Sequence, residues 1–316
     1  MEPILPMEPK KSEAVPEGNG WLAQIKWDGV RILTYFDGTK VRLYNRKLNE
    51  RTWNYPELTN LSSYCSAESV ILDGEVIAMG EDGKPSFYEV MRRDGIRRKE
   101  KLAQMVSIVP VAYMIFDVIY LNREWLNKRP LNERTRLLSD IIEPNEQIQL
   151  VSSHRDGNHL FHVIKENGME GIVLKKEDSP YQIGQKTDHW QKVKNYLDVI
   201  AVVGGFTLRG GVVNAVLLGL YNQKGELYYI GHTGTGKLSN QEWRQLTDIL
   251  KKKEMDDRPF INKPERNDTA HWVRPALTVK IQYAEWRPGH SLRQPSIQSF
   301  VDVPPKDCKM PEDGET

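Results

Sequence analysis

Apolar and polar residues alternate along Trp21 to Lys26, Arg31 to Tyr35 and Lys40 to Tyr44. That two-residue period predicts strands, with a turn at Asp28-Gly29 between the first two. Ser69 to Leu72 and Glu75 to Met79 form a further pair, divided by Asp73-Gly74, another turn signal. Val109 to Tyr120 is an almost unbroken apolar run suited to a sheet centre. Pro85 to Arg92, Leu131 to Ile142 and Asn158 to Asn167 have helical spacing, with Asn132 the expected N-cap of the second and Gly168 the stop of the third. Gly171 to Lys175 and Trp190 to Lys194 read as strands again.

At Asn195-Tyr196-Leu197-Asp198 the texture changes, and a boundary here separates residues 1–195 from 196–316. Beyond it Val199 to Phe206, Ala215 to Tyr221, Leu227 to His232 and Leu277 to Trp286 are short strands with Gly-rich turns, and Gln241 to Lys252 is a helix. About five strands with one helix predict an OB-like β-barrel. The fold class expected is α+β: a first domain of antiparallel sheets with helices, then the barrel. The tail after Val303, with its prolines and charges, is expected to be loosely held.

Composition narrows the class. A length of 316 residues suits one large domain and one small one, and 39% hydrophobic with 28% charged residues belongs to a folded chain. No apolar run approaches the roughly 20 residues needed to cross a bilayer, and the first residues lack a secretory pattern, so a cytoplasmic protein without a membrane partner is expected. Cys65 and Cys308 are too few for a metal cage or a disulfide framework. With 44 basic and 43 acidic residues the net charge is +1, so attraction to a polyanion must be built locally. Arg92, Arg93, Arg97, Arg98, Lys99 and Lys101, and the run Lys251 to Lys253, are candidates for phosphate contact, although charge runs are commonly just solvated faces.

Lys26-Trp27-Asp28-Gly29-Val30-Arg31 puts a lysine at a strand end before a turn, an arrangement that can aim an amine into a cleft and also fits a surface hairpin. It has company: Asn45-Arg46, Asp73-Gly74-Glu75, Tyr113-Met114-Ile115-Phe116-Asp117, EGIVLK at Glu170 to Lys175, and Trp190-Gln191-Lys192-Val193-Lys194 preceded by Ser179-Pro180-Tyr181-Gln182-Ile183-Gly184. In this order, from Lys26 through Pro295, the sequence resembles the covalent nucleotidyltransferases, most closely the bacterial ATP-dependent DNA ligases.

The resemblance implies an adenylation domain over 1–195 and an OB-fold domain over 196–316. It implies ATP as nucleotide, Mg²⁺ (or Mn²⁺) as metal, and nicked double-stranded DNA as substrate. Lys26 is then the nucleophile, Phe116 the purine platform, and Gln24 with Ile25 the adenine-recognition stretch, where many relatives carry glutamate in the place of Gln24. Glu75 and Glu170 are the candidate metal carboxylates, with ribose binding an equally open role for Glu75. A lysine attacks phosphorus only as the free amine, and neighbouring cations lower a lysine pKa, so Lys192 and Lys194 are expected to activate Lys26 and to neutralise the α-phosphate. Arg31 and Arg46, with forked donors, suit a ribose or the phosphate of a nick. Arg293, in Leu292-Arg293-Gln294-Pro295-Ser296, joins them as a DNA contact.

That C-terminal motif lacks the family's downstream arginine and Asp-Lys pair, and Lys26 stands early, so a minimal monomeric ligase is expected, with any repair or end-binding partner left open. The alternatives are an RNA ligase or a GTP-dependent RNA-capping nucleotidyltransferase, which share the lysine chemistry, and a non-catalytic nucleic-acid-binding barrel using Tyr221, Tyr228 and Tyr229 as stacking platforms. An NAD-dependent ligase fits less well, since residues 1–20 leave no room for its extra domain.

Overall fold

A computed structural model of the chain describes residues 1–311 except 235, 288 and 290, with the backbone alone at Lys99. The chain divides into two compact units, Met1–Asn195 and Tyr196–Thr316. The first unit runs β1 (Glu8–Lys11), β2 (Trp21–Ile25), β3 (Val30–Phe36), β4 (Val41–Asn45), β5 (Val70–Ile77), α1 (Phe87–Asp94), α2 (Lys99–Ile108) and β6 (Ala112–Leu121). It continues through β7 (Glu124–Trp125), α3 (Leu131–Ile141), β8 (Ile148–Leu150), α4 (Gly157–Glu166), β9 (Gly171–Lys176) and β10 (Lys186–Lys194).

These strands form two sheets, one in the order β1-β10-β9-β2 and the other β4-β3-β5-β6-β7 with β8 also on β6. Pairing is antiparallel except for β1 with β10 and β8 with β6, which are parallel. The sheets share a core in which Leu33, Tyr35, Ile71 and Ile119 of one meet Met7, Tyr181 and Trp190 from the other side.

Two turn signals act differently from expectation. Asp28-Gly29 does not close a hairpin: β2 pairs with β9 while β3 pairs with β4 and β5, so the chain crosses here from one sheet to the other. Asp73-Gly74 is no turn at all, because β5 runs straight through it. Burial decides the matter. Asp73 is fully buried against Arg31, and a Cβ on Gly74 would lie 2.5 Å from the Tyr113 ring, so the dipeptide serves a close-packed strand rather than a reversal.

Among the helices, Ser86 caps α1 and Asp156 caps α4 through side-chain acceptance of Glu89 and His159 N–H. Asn132 is not the cap of α3; Pro130 precedes the helix, and the Asn132 N–H is taken by the Glu177 carbonyl at 3.0 Å. α2 was hidden by its charges. Arg93 leaves the expected phosphate-contact cluster, since it is buried, grips Glu57 at 2.8 and 2.9 Å and donates to the Val109 carbonyl. Arg97, Arg98 and Lys101 remain exposed.

The second unit holds β11 (Leu197–Arg209), β12 (Val212–Tyr221), β13 (Leu227–Thr233), α5 (Asn240–Lys251), β14 (Glu254–Met255), β15 (His271–Tyr283), β16 (Glu285–Arg287), β17 (Ser291–Arg293) and β18 (Ser296–Val301). The antiparallel order β13-β12-β11-β15, with β14 and β18 also on β15, curls around Phe206, Trp243 and Phe260 as the OB-like reading expected. Its open side is bridged where the Lys237 N–H meets the Ile297 carbonyl at 2.9 Å and the Thr233 hydroxyl meets the Pro295 carbonyl at 2.6 Å. α5 starts with a capping box between Ser239 and Glu242. As far as Met310 the tail is held more firmly than expected, its remainder from 312 on lying outside the described residues: Cys308 is buried, and Tyr221 exchanges backbone hydrogen bonds with Cys308 and Met310 at 2.8 and 2.9 Å. Tyr229 is also buried, its hydroxyl against His232, so it is no stacking platform.

Candidate active site

Strand register assembles the first group of site residues. β9 lies between β2 and β10, with Ile25 opposite Ile172 and Lys194 opposite Gly171, and the Lys26 N–H donates to the Gly171 carbonyl at 2.9 Å. Lys26, Glu170 and Lys194 therefore meet at one end of three adjacent strands. Gly171 is required there: its φ is +142°, and a Cβ would fall 2.2 Å from the Val193 carbonyl oxygen.

Glu170 bridges the two lysines, with Oε2 2.5 Å from Lys26 Nζ and Oε1 2.8 Å from Lys194 Nζ. The effect on Lys26 is opposite in direction to the expected lowering of its pKa. Burial depresses the Lys26 pKa, but Glu170, then Glu75 and Asp28, outweigh it and hold the amine protonated. Lys192, on the same strand as Lys194, has its pKa lowered, through partial burial and the nearby charges of Lys26, Lys194 and Lys186. In turn the two lysines hold the Glu170 carboxyl below its ordinary value against the cost of burial.

Glu75 comes from the second sheet, opposite Arg31 in register. Burial pushes its carboxyl up to about 8; Lys26 and Arg31 resist, while Glu170 and Asp28 add to the rise. A carboxylate short of positive charge beside a second one is a donor pair that fits a divalent cation. Among the described residues no group of three or more His, Cys, Asp or Glu side chains could hold an ion, so phosphate oxygens and water would have to complete the shell.

Arg31 is more committed than expected. Its Nε and Nη2 chelate Asp73 at 2.9 and 2.5 Å, Nη1 donates to the Met7 carbonyl at 2.7 Å, and Nη2 reaches the Tyr181 hydroxyl at 3.2 Å. Tyr181 donates to Asp73 Oδ2 at 2.6 Å. As placed, Arg31 ties β1 and the loop before β10 to the second sheet. Arg46 is exposed in the turn after β4. Gln24 is buried and donates from Nε2 to Ser153 Oγ at 3.0 Å, leaving its carbonyl oxygen as an acceptor.

Phe116 stands half-buried on β6, edge-on to Trp190. Three neighbours escaped the sequence reading: Asp73, Tyr181 and Lys175. All three lie inside motifs quoted above, but contact across sheets has no sequence signal. In the second unit, Arg293 is buried on β17 with Nη1 3.0 Å from Glu285 Oε1.

Family profiles match both units: one described as ATP dependent DNA ligase domain over residues 6–194, and one as ATP dependent DNA ligase C terminal region over 209–302. The chain belongs to the ATP-dependent DNA ligases. It is 27% identical over 339 residues to a DNA ligase of Thermococcus fumicolans, an overlap that is 100% of this chain and 58% of that protein. It is 31% identical over 282 residues to the multifunctional non-homologous end joining DNA repair protein LigD of Mycobacterium tuberculosis, covering 87% of this chain and 35% of that one. The ligase chain thus spans only part of these relatives. A solved structure of mycobacterial DNA ligase D complexed with ATP and MES is similar over 97% of this chain and 98% of that chain, with TM-score 0.52 and 27% identity. A Lig E DNA ligase structure shares the fold, with TM-score 0.62 and 18% identity over 95% of this chain and 100% of that chain. No helix among the described residues is long and apolar enough to cross a membrane.

Proposed function

We propose that this chain seals nicks in duplex DNA in three phosphoryl transfers, the first of which places AMP on Lys26. The observation that carries the reading is the amine of Lys26 set against Glu170 and Lys194 at the end of three strands. Residues 1–195 act as the adenylation domain and 196–316 as the OB-fold domain.

Lys26 must lose a proton before it attacks, and Glu170, at 2.5 Å, is the acceptor already in place. Once Lys26 carries AMP as a phosphoramidate its ammonium charge is gone, and Glu170 keeps Lys194 as its partner. Lys194 and Lys192 offer cations to the α-phosphate. Glu75 and Glu170 would hold Mg²⁺, which would neutralise charge on the phosphate oxygens and the leaving pyrophosphate. Phe116 stacks on the purine, and the Gln24 carbonyl suits an exocyclic amino group. AMP then passes to the 5′-phosphate of the nick, and the 3′-hydroxyl displaces it. Arg46, exposed in the turn after β4, would serve the ribose or the nick phosphate.

The test is incubation with a divalent metal and α-labelled ATP or GTP, comparing the wild type with Lys26→Ala. Label from ATP that survives denaturation and is absent from the variant supports the reading, to be followed by sealing of nicked duplex. Label from GTP alone would transfer the chain to capping chemistry, and no label would sink the proposal.

A further inference from the structure

Lys175, the last residue of EGIVLK, has no part in the chemistry above. It is 2% exposed, and its Nζ has no hydrogen-bond partner among the described residues. The amine instead lies 4.2 Å from the centre of the Phe116 ring and 4.0 Å from that of Trp190. An ammonium carries three donors and ordinarily finds acceptors or water; here aromatic faces replace them.

The charged groups around this amine are already engaged with one another. Asp73 is chelated by Arg31 and bonded by Tyr181, and Asp117 is chelated by Arg134 at 2.8 and 2.9 Å. Burial brings the Lys175 amine down to about 7; Asp117 and Asp73 resist, while Arg31 and Arg134 assist. Tyr181 is pushed well above its ordinary value, chiefly by burial. Near neutrality Lys175 therefore gains or loses its charge while Arg31, Arg134 and Tyr181 keep their protons.

We propose that Lys175 is a positioning residue for the nucleotide: its ammonium, seated on one face of Phe116, polarises the ring and strengthens stacking of the purine on the other face. The inference rests on the reading of Phe116 as the purine platform. Phe116 is only half-buried, so its ring is not sealed into the core. Ring faces carry negative potential and repel the π face of adenine; a cation behind the ring draws that potential away.

The experiment measures formation of the Lys26–AMP adduct at varied ATP concentration, at about pH 6 and about pH 8.5, on either side of the Lys175 transition. Lys175→Met keeps chain length and apolar bulk and removes the charge. At the lower pH the variant's KM for ATP is expected to exceed that of wild type by about three- to tenfold. At the higher pH, where the wild-type amine is itself neutral, the ratio is expected to fall toward one. Titration of Lys26 and Glu75 is common to both proteins and cancels in the ratio. A ratio that is equal at both pH values, whether above one or at one, overturns the proposal. Failure of the wild type to form the adduct overturns the underlying reading instead. If Lys175→Met does not fold, Lys175→Arg, charged throughout, is expected to give a KM ratio to wild type near one at the lower pH and below one at the higher pH. A ratio that stays at one at both pH values overturns the proposal.

Discussion

The Lys26 ammonium lies 2.5 Å from Glu170 Oε2, so the amine proposed as nucleophile is stored as half of an ion pair. Storage has a chemical consequence: the residue that orients the amine also stabilises its unreactive form. Glu170→Gln keeps the shape and removes the charge, so the Lys26 pKa is expected to fall. Acetic anhydride labelling at near-neutral pH, mapped by peptide mass, should then modify Lys26 faster in the variant than in wild type. Equal or slower labelling would show that the carboxylate does not govern the proton on Lys26.

Arg31 and Asp73 form a bidentate pair whose side chains are 12% and 0% exposed. Removing one partner of such a pair leaves the other charge buried without compensation, at a cost of about 3–5 kcal/mol. Asp73→Asn is expected to lower the stability of the first unit by that amount in a urea titration followed by tryptophan fluorescence. The loss should exceed that of Glu89→Gln, which opens a pair whose side chains are 41% (Arg92) and 21% (Glu89) exposed, where about 0.5 kcal/mol is at stake. Similar losses for the two variants would mean that Arg31 finds other partners.

The sequence carries its strands through local period, which is why β3, β4, β9 and β13 fall within a residue or two of their expected bounds. The two-residue alternation of Lys192 and Lys194 was legible for the same reason. What pairs with what was not legible. Asp73-Gly74 carries a turn signal, and only the arrival of Arg31 from another strand makes it an interior pair. α2 reads as a charge run because its first turn is basic, and Arg93 looks like its neighbours until Glu57 is brought against it. Lys175 is the furthest from view. A lysine that closes an apolar stretch reads as a solvated strand end, and only the two rings beside it show otherwise.

Lys175 also ties stability to pH. Its amine falls from 10.5 to about 7 in the folded protein because burial disfavours the charged form. Between those values the unfolded chain holds a proton that the folded chain does not, so this group raises stability as pH rises through the window and costs most below it. Lys175→Met is therefore expected to gain more stability over wild type at about pH 6 than at about pH 9.5. Paired thermal melts at the two pH values check this; an equal difference at both would mean that the folded protein lets water reach the amine.

Gly171 separates Glu170 from the β9 core at a φ of +142°, where a Cβ would fall 2.2 Å from the Val193 carbonyl oxygen. Gly171→Ala should push β10 away and carry Lys194 with it, breaking the bridge through Glu170. The expectation is loss of Lys26 adenylylation with the second unit still folded. Gly18→Ala is the control, because it too has positive φ, +97°, but meets nothing within 4 Å. If both variants retain adenylylation, β10 moves without consequence and the bridge is not needed in the first step.

Arg97, Arg98 and Lys101 are exposed, and none of them has a carboxylate partner among the described residues. On a chain with net charge +1, unpaired local cations are what a duplex can use, through phosphates and without regard to sequence. Replacing Arg97 and Arg98 by alanine is expected to weaken nick binding at low salt and to reduce the slope of log affinity against log salt by about 1 for each phosphate that is no longer neutralised. Adenylylation, which needs no DNA, serves as the internal reference and should proceed at the wild-type rate. A salt slope identical to wild type would place these arginines on a merely solvated face and leave duplex binding to other cations, such as those of Lys251 to Lys253.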